Sequence, residues 1–306
     1  MHDLAPIVLF VYNRPGHTLK TLEALSENDL AQESHLFIYA DGPKQQATVE
    51  ELKKIQEVEK ILNQKAWLGK ITIVKRNSNY GLADNIIQGV SSVLDEFGKV
   101  IVLEDDIVTS KGFLKYMNDA LFLYKDENRV MHISGYMFPV NITLPETFFY
   151  NQASCWGWAT WKRSWDKYNA SASELLSAIQ RSDNVSHFNI NDSYNFFGQL
   201  KNNAEGRLKT WAVKWHASVY LSKGLCLHPS KSLVANIGMD NSGVNSHANT
   251  AFETLMASYI AVKPITLKEN QAARKAVGKF YRSMRPSKNT FVKRIFLKLK
   301  KLLKNA

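Results

Sequence analysis

Cysteine is nearly absent: the 306 residues hold two, Cys155 and Cys226, far apart and without CxxC or Cys/His spacing. This excludes a disulfide framework and a thiolate zinc site, and it points to a reducing compartment. Cys226, inside the apolar stretch LCLHP, reads as a buried thiol. Long hydrophobic runs are missing as well. The opening MHDLAPIVLFVYNRP is broken at Asn13, Arg14 and Pro15, well short of the roughly 18 apolar residues a membrane-spanning helix needs. It reads as a first strand, not as a leader or anchor. There is no internal repeat and no low-complexity linker, so solenoids and strings of beads are excluded. Hydrophobic residues at 45% and charged residues at 22% suit a globular chain with a sizeable core.

Acids are missing from one end. Residues 263–306 hold 14 Lys or Arg and a single acid, Glu269, whereas the first 262 residues carry 25 basic and 27 acidic side chains. The net charge of +11 therefore belongs to a tail, and a nucleic-acid partner, which needs basic charge across a folded face, is excluded. From Asn289 onward Phe291, Val292, Ile295, Phe296, Leu299, Leu302 and Leu303 recur at helical intervals, flanked by Lys293, Arg294, Lys298, Lys300, Lys301 and Lys304. The spacing predicts a basic amphipathic C-terminal helix that lays residues 287–306 on an anionic membrane surface. With no leader, the expected location is cytoplasmic, peripheral on the inner face of the cell membrane.

The first half alternates apolar and helix-patterned stretches, which predicts an α/β fold with a mostly parallel sheet. Strands are expected at Ile7–Tyr12, His35–Ala40, Ile71–Lys75 and Val100–Leu103, with helices at Thr18–Leu25, Thr48–Leu62 and Asp84–Phe97. After about residue 130 the texture turns to short strands and an aromatic segment, CWGWATWKRSWDKY. The expected organisation is one catalytic domain over 1–262, with a ligand-binding half to about 130 and a second half over 131–262, followed by the tail 263–306.

Each predicted strand of the first half ends in a polar cluster, and in open α/β sheets ligands bind beyond the carboxyl ends of the strands. Glu104-Asp105-Asp106, after VIVL, is the most informative cluster. Three adjacent acids at a buried strand end repel one another and call for a compensating cation, for which Mg²⁺ or Mn²⁺ supplies the charge and can bridge to a diphosphate. Arg76 to Asn85 (RNSNYGLADN) offers a glycine for close approach and amide side chains for a ribose or phosphate. Asp41-Gly42 offers an acceptor, and Tyr12-Asn13-Arg14-Pro15 a cation.

These motifs, VYNRP, YADGP, NYGLADN and LEDD in that order, resemble the GT-A glycosyltransferases: bacterial surface-polysaccharide sugar transferases over roughly residues 5–245, and the EDD-type N-acetylglucosaminyltransferases at LEDD. The resemblance implies a Rossmann-like GT-A fold and a metal-dependent hexosyl or N-acetylhexosaminyl transfer, from a nucleotide-sugar to a glycan or lipid-linked glycan acceptor in surface polysaccharide or lipopolysaccharide synthesis. It puts Tyr12, Asn13, Arg14 and Asp41 near the nucleoside and Asn79, Gly81, Leu82 and Asn85 beside the donor. Glu104 and Asp105 would hold ribose and sugar hydroxyls, and Asp106 would ligate the Mn²⁺ or Mg²⁺. Trp156 and Trp158 resemble an aromatic acceptor segment.

Relatives often carry a catalytic base as Asp after Trp in a W-D-x-x-W-like segment, and here Trp211-Ala212-Val213-Lys214-Trp215 has alanine at that place. Asp240 is the favoured base, with Asp166, Glu205 and His247 as alternatives. A sugar-nucleotide nucleotidyltransferase would need a Gly-rich, basic loop after the first strand, which YNRPGHT matches poorly. A non-catalytic nucleotide-sugar or glycan binder is the remaining alternative.

Overall fold

The computed structural model describes residues 3–240 and 250–285. The strands among them are β1 (Ile7–Val11), β2 (His35–Ala40), β3 (Lys70–Lys75), β4 (Lys99–Glu104), β5 (Ile107–Thr109), β6 (Val130–Ser134), β7 (Thr147–Tyr150), β8 (Trp158–Trp161), β9 (Leu225–Pro229) and β10 (Val234–Asn236). The helices are α1 (Pro15–Ser26), α2 (Val49–Leu62), α3 (Leu82–Phe97), α4 (Phe113–Leu123), α5 (Lys162–Trp165), α6 (Ala172–Arg181), α7 (Val185–Phe188), α8 (Phe196–Ala204), α9 (Ala212–Leu221) and α10 (Gln271–Ser283).

Alternation along β1 sends Ile7, Leu9 and Val11 to a core shared with α1, α2, α4 and α10, and sends Val8 and Phe10 to one shared with α3 and α9. A sheet covered on both faces is why β1, β2 and β4 read as unbroken apolar runs. The large sheet has the order β3-β2-β1-β4-β8-β6-β9-β7, and β5 pairs with β10 beside it. β3, β2, β1 and β4 are parallel to one another, while β8 enters antiparallel to β4 and β6. The chain thus steps outward from β1 to β3 and returns to the other side of β1 as β4. Such a reversal opens a crevice beyond the ends of the two central strands, and the register Phe10 with Glu104 sets that crevice between Arg14 and the acids.

Local sequence explains the element ends. Thr48 and Glu51 close α2 with a reciprocal capping box, at 3.0 and 3.2 Å. α3 starts earlier than Asp84, at Leu82, because Gly81 takes φ 75° and turns the chain; Asp84 then sits in the first turn and pairs with Lys209 at 2.6 Å. Gly98, at φ 72°, ends the helix in the left-handed conformation that an L side chain disfavours.

Charge marks a boundary at residue 262, but packing does not. α10 carries Ala273, Val277 and Tyr281 into the main core. Arg274, 1% exposed, pairs at 3.0 Å with Glu269, the one acid of the basic segment. Glu269 in turn accepts from the Asn151 backbone at 2.8 Å. Residues 263–285 therefore belong to the folded body, while the amphipathic helix expected over 287–306 lies outside the described residues. The halves divided at about 130 share one continuous sheet.

Candidate active site

The acids after β4 are held by a cation from the neighbouring strand. The Arg14 guanidinium, one turn beyond β1, pairs with Asp105 and reaches Asp106 at 2.9 Å. Burial opposes its charge, but the two aspartates outweigh that and hold it firmly ionised. Asp105 is buried, and its backbone carbonyl also accepts from Thr21 at 2.8 Å. Burial, then the Asp106 and Asp105 charges, push Glu104 up to about 8 against the weaker pull of Arg14. Burial raises Asp105 to about 6 even though Arg14 draws it back. Burial and the neighbouring acids thus favour the protonated form of Glu104, and two aspartates facing one guanidinium leave a net negative charge.

A second hub lies at the end of β2. The Asp41 backbone N–H donates to Val11 at 3.0 Å, which ties the two strand ends together. Both Asp41 carboxylate oxygens are filled by protein. One accepts from the Gly42 and Tyr80 backbones at 3.0 and 2.8 Å, the other from Asn79 Nδ2 and the Gly81 backbone at 2.9 and 3.0 Å. A carboxylate has about four acceptor positions, so the structure gives Asp41 the work of holding the 79–81 turn and leaves it little capacity for a nucleoside. Gly42 is required here, since an added Cβ would meet the Arg76 carbonyl at 2.5 Å. Asn85 is buried and accepts from Arg76 at 3.2 Å, while Leu82 projects outward, 47% exposed. Tyr12 and Asn13 are half-buried at the crevice. The Tyr12 hydroxyl is buried beside the Lys44 backbone.

The far wall is the segment after β10. The Ile237 N–H donates to the Asp106 carbonyl at 2.9 Å, and Gly238 packs so closely that an added Cβ would lie 2.1 Å from Asp106 Oδ2. Asp240 follows, 46% exposed, with an oxygen 3.1 Å from His17 Nε2. Of the alternative bases, Asp166 pairs with Lys162 and Glu205 with Arg207, both away from the acids, and His247 lies outside the described residues.

The two acceptor tryptophans part company. Trp158 is 1% exposed and packs within a cluster of His132, Trp165, Trp211 and Trp215; it is core, on the side of β8 shared with α3 and α9. Trp156 is half-buried against Tyr136 and Phe252, at 4.6 and 5.5 Å. Sequence reasoning missed His17, Thr21 and Gly238. The first two sit three and seven residues after Arg14 on one face of α1, a spacing that would have flagged them.

Among the described residues no group of three His, Cys, Asp or Glu side chains forms a protein cage for a metal. Asp106 offers a carboxylate 13% exposed, with one oxygen on Arg14. That donor set, with its remaining negative charge, fits a hard divalent ion that takes one protein carboxylate and completes its shell with phosphate oxygens and water.

Residues 7–130 match the family model described as glycosyl transferase family 2, a stretch that contains both hubs. Similar solved structures include S. aureus TarS, 16% identical, covering 47% of this chain and 23% of that one at a TM-score of 0.30. Another is the mannosyltransferase PcManGT from Pyrobaculum calidifontis in complex with GDP-Man and Mn2+, 10% identical over 72% of each chain at a TM-score of 0.38. The chain thus spans about a quarter of the length of TarS, and likenesses this distant say nothing about chemistry. No curated protein matches the chain.

Proposed function

We propose, from the glycosyl transferase family 2 domain that residues 7–130 form, that the protein transfers a sugar from a nucleotide-sugar to a glycan or lipid-linked glycan acceptor in surface polysaccharide or lipopolysaccharide synthesis. The observation that carries this reading is the acid triplet paired by Arg14 at the crevice between β1 and β4. Tyr12 and Asn13 line the nucleoside end. At the start of α3, Gly81 and the outward-projecting Leu82 would border the donor, in a turn held through Asp41 and Asn79, with Asn85 buried behind it on Arg76. Glu104 and Asp105 would hold ribose and sugar hydroxyls.

Asp106 would hold a Mn²⁺ or Mg²⁺ ion. When bound, such an ion supplies Lewis-acid stabilisation of the departing nucleoside diphosphate. Asp240 takes the proton of the acceptor hydroxyl as that oxygen bonds to the anomeric carbon and the carbon–phosphate oxygen bond breaks; the His17 contact supports this by fixing the carboxylate over the crevice. Trp156 offers an aromatic face to the acceptor sugar. Residues 287–306 hold the enzyme to an anionic membrane on the cytoplasmic side.

The test is metal-dependent hydrolysis across a panel of nucleotide-sugars with Mn²⁺, Mg²⁺ or chelator. One donor should be hydrolysed slowly and only with metal. Neither binding nor hydrolysis of any donor would overturn the reading.

A further inference from the structure

The wall after β10 meets the acids with backbone, and hydrogen bonds to that backbone decide where it stands. Ile237 is held at both its N–H and its carbonyl: the N–H donates to the Asp106 carbonyl at 2.9 Å, and the Ile237 carbonyl accepts from His17 Nε2 at 3.3 Å. A carbonyl oxygen only accepts, so Nε2 carries the hydrogen. The same nitrogen faces Asp240 Oδ2 at 3.1 Å. Between the two contacts Gly238 is buried, so close to the cluster that an added Cβ would lie 2.1 Å from Asp106 Oδ2 and 2.9 Å from Arg14 Nη1. One imidazole N–H therefore ties both ends of the segment 237–240 to α1, and the glycine between them rests on the acids.

α1 is suited to this because it already carries the cluster's other partners. Arg14, at its N-cap, pairs with Asp105 and Asp106, and Thr21 donates to the Asp105 carbonyl at 2.8 Å. Residues 14, 17 and 21 follow the three- and four-residue spacing of one helix face, so a single element fixes the acids and the wall in the same frame. Stability does not explain the contact made by His17. Its side chain is 18% exposed and that of Asp240 46%, and ion pairs open to water contribute little to folding. Its effect is on where the wall stands, and a displacement of about 1 Å in a reacting group can cost roughly 10²-fold in rate.

We propose that His17 is a positioning residue that holds the 237–240 segment over the acid cluster and so decides whether an acceptor hydroxyl or water receives the sugar. This rests on the glycosyl transfer proposed above. With the wall in place, the acceptor oxygen bonds to the anomeric carbon, the bond to the diphosphate oxygen breaks with its electron pair leaving on the diphosphate, and the hydroxyl proton passes to Asp240. With the wall displaced, water takes the acceptor's place and the products are free sugar, nucleoside diphosphate and a proton. A site that shuts water out suppresses that loss.

The test follows one labelled nucleotide-sugar, the donor that the hydrolysis panel selects, with a lipid extract and a soluble glycan fraction of the source cells as acceptors, and compares acceptor-linked with free sugar. His17→Ala should raise the ratio of hydrolysis to transfer about tenfold or more, and lower kcat for transfer while the donor KM stays within about twofold. Amide exchange at Ile237 should quicken in the same variant. His17→Gln, whose Nε2–H can reach the same carbonyl, should restore most of the transfer. A role in folding alone would leave the ratio where it was and gain nothing from glutamine. An unchanged ratio in His17→Ala, an equal fall of hydrolysis and transfer, or a glutamine variant no better than alanine overturns the proposal and leaves the transferase reading standing. A wild type that hydrolyses no donor overturns both.

Discussion

At the scale of single residues, the proposed chemistry rests on how one guanidinium shares two carboxylates. Asp106→Ala should lower turnover by about 10²–10³ or more, the usual loss when charge stabilisation at a transition state is removed, while the melting temperature holds or rises because a repelling acid has gone. Turnover within a few-fold of wild type, without added metal, would sink the assignment. Arg14→Ala leaves a buried aspartate unpaired and should cost about 3 kcal/mol in chemical denaturation, at the lower end for a broken buried pair since Arg14 is 17% exposed. Arg14→Lys should recover only part of this, because a point charge cannot bridge both acids as a planar fork does. Glu104 and Asp105 also set a pH dependence. Their folded values, about 8 and about 6, lie above those of the unfolded chain. Their stabilising contribution is therefore complete below the ordinary carboxylate range and lost as pH rises through 6 and then 8. Metal-free protein should melt progressively lower across that window, and Glu104→Gln should flatten the slope.

At the scale of elements, the turn that precedes α3 is shaped from the end of β2. Four donors converge on Asp41, so Asp41→Ala strips partners from three backbone N–H groups, those of Gly42, Tyr80 and Gly81, and from Asn79, each costing about 1–3 kcal/mol if left unmet. The expected signature is faster amide exchange over residues 79–82 and a donor KM raised more than turnover is lowered. Slow exchange unchanged from wild type would show that the turn stands without Asp41. The segment after β10 is held from below in the same manner. Gly238→Ala places a Cβ against Asp106, and it should depress turnover while leaving the melting temperature nearly unchanged, because the segment can lift away from the crevice.

At the scale of the molecule, the second half of the sheet is built around neutral histidines. Burial, reinforced by His228, lowers His132 to about 3. Burial likewise lowers His228 to about 3 and His216 to about 4. His132 accepts from Trp215 Nε1 at 3.0 Å and faces the Ser154 carbonyl at 2.9 Å, an arrangement that protonation of the accepting nitrogen would break. Because these folded values are depressed, the stability they confer is complete above the unfolded histidine value of about 6.5 and is lost as pH falls toward 3. Together with the acid triplet, this gives a stability maximum on the mildly acidic side of neutrality. Melting curves from pH 3 to 9 should show a decline on both flanks, and a curve still rising at pH 8 would contradict the triplet's part in it.

What the sequence determined by itself is local in origin. The apolar runs at Ile7, His35 and Val100 and the four polar clusters at strand ends follow from periodicity, and those strands lie where the spacing predicts. The acidic triplet was readable as needing a cation because mutual repulsion is a property of adjacent residues. Tertiary structure alone decided which cation stands there. Arg14 is 91 positions from Asp105, and only the β1–β4 pairing brings them together. It likewise turned Trp158 into core and Asp41 into a turn anchor, and joined residues 263–285 to the body through Arg274 and Glu269. In each case the side chain's role depends on which way the sheet faces it and on partners distant in sequence, and periodicity along one segment carries no record of either.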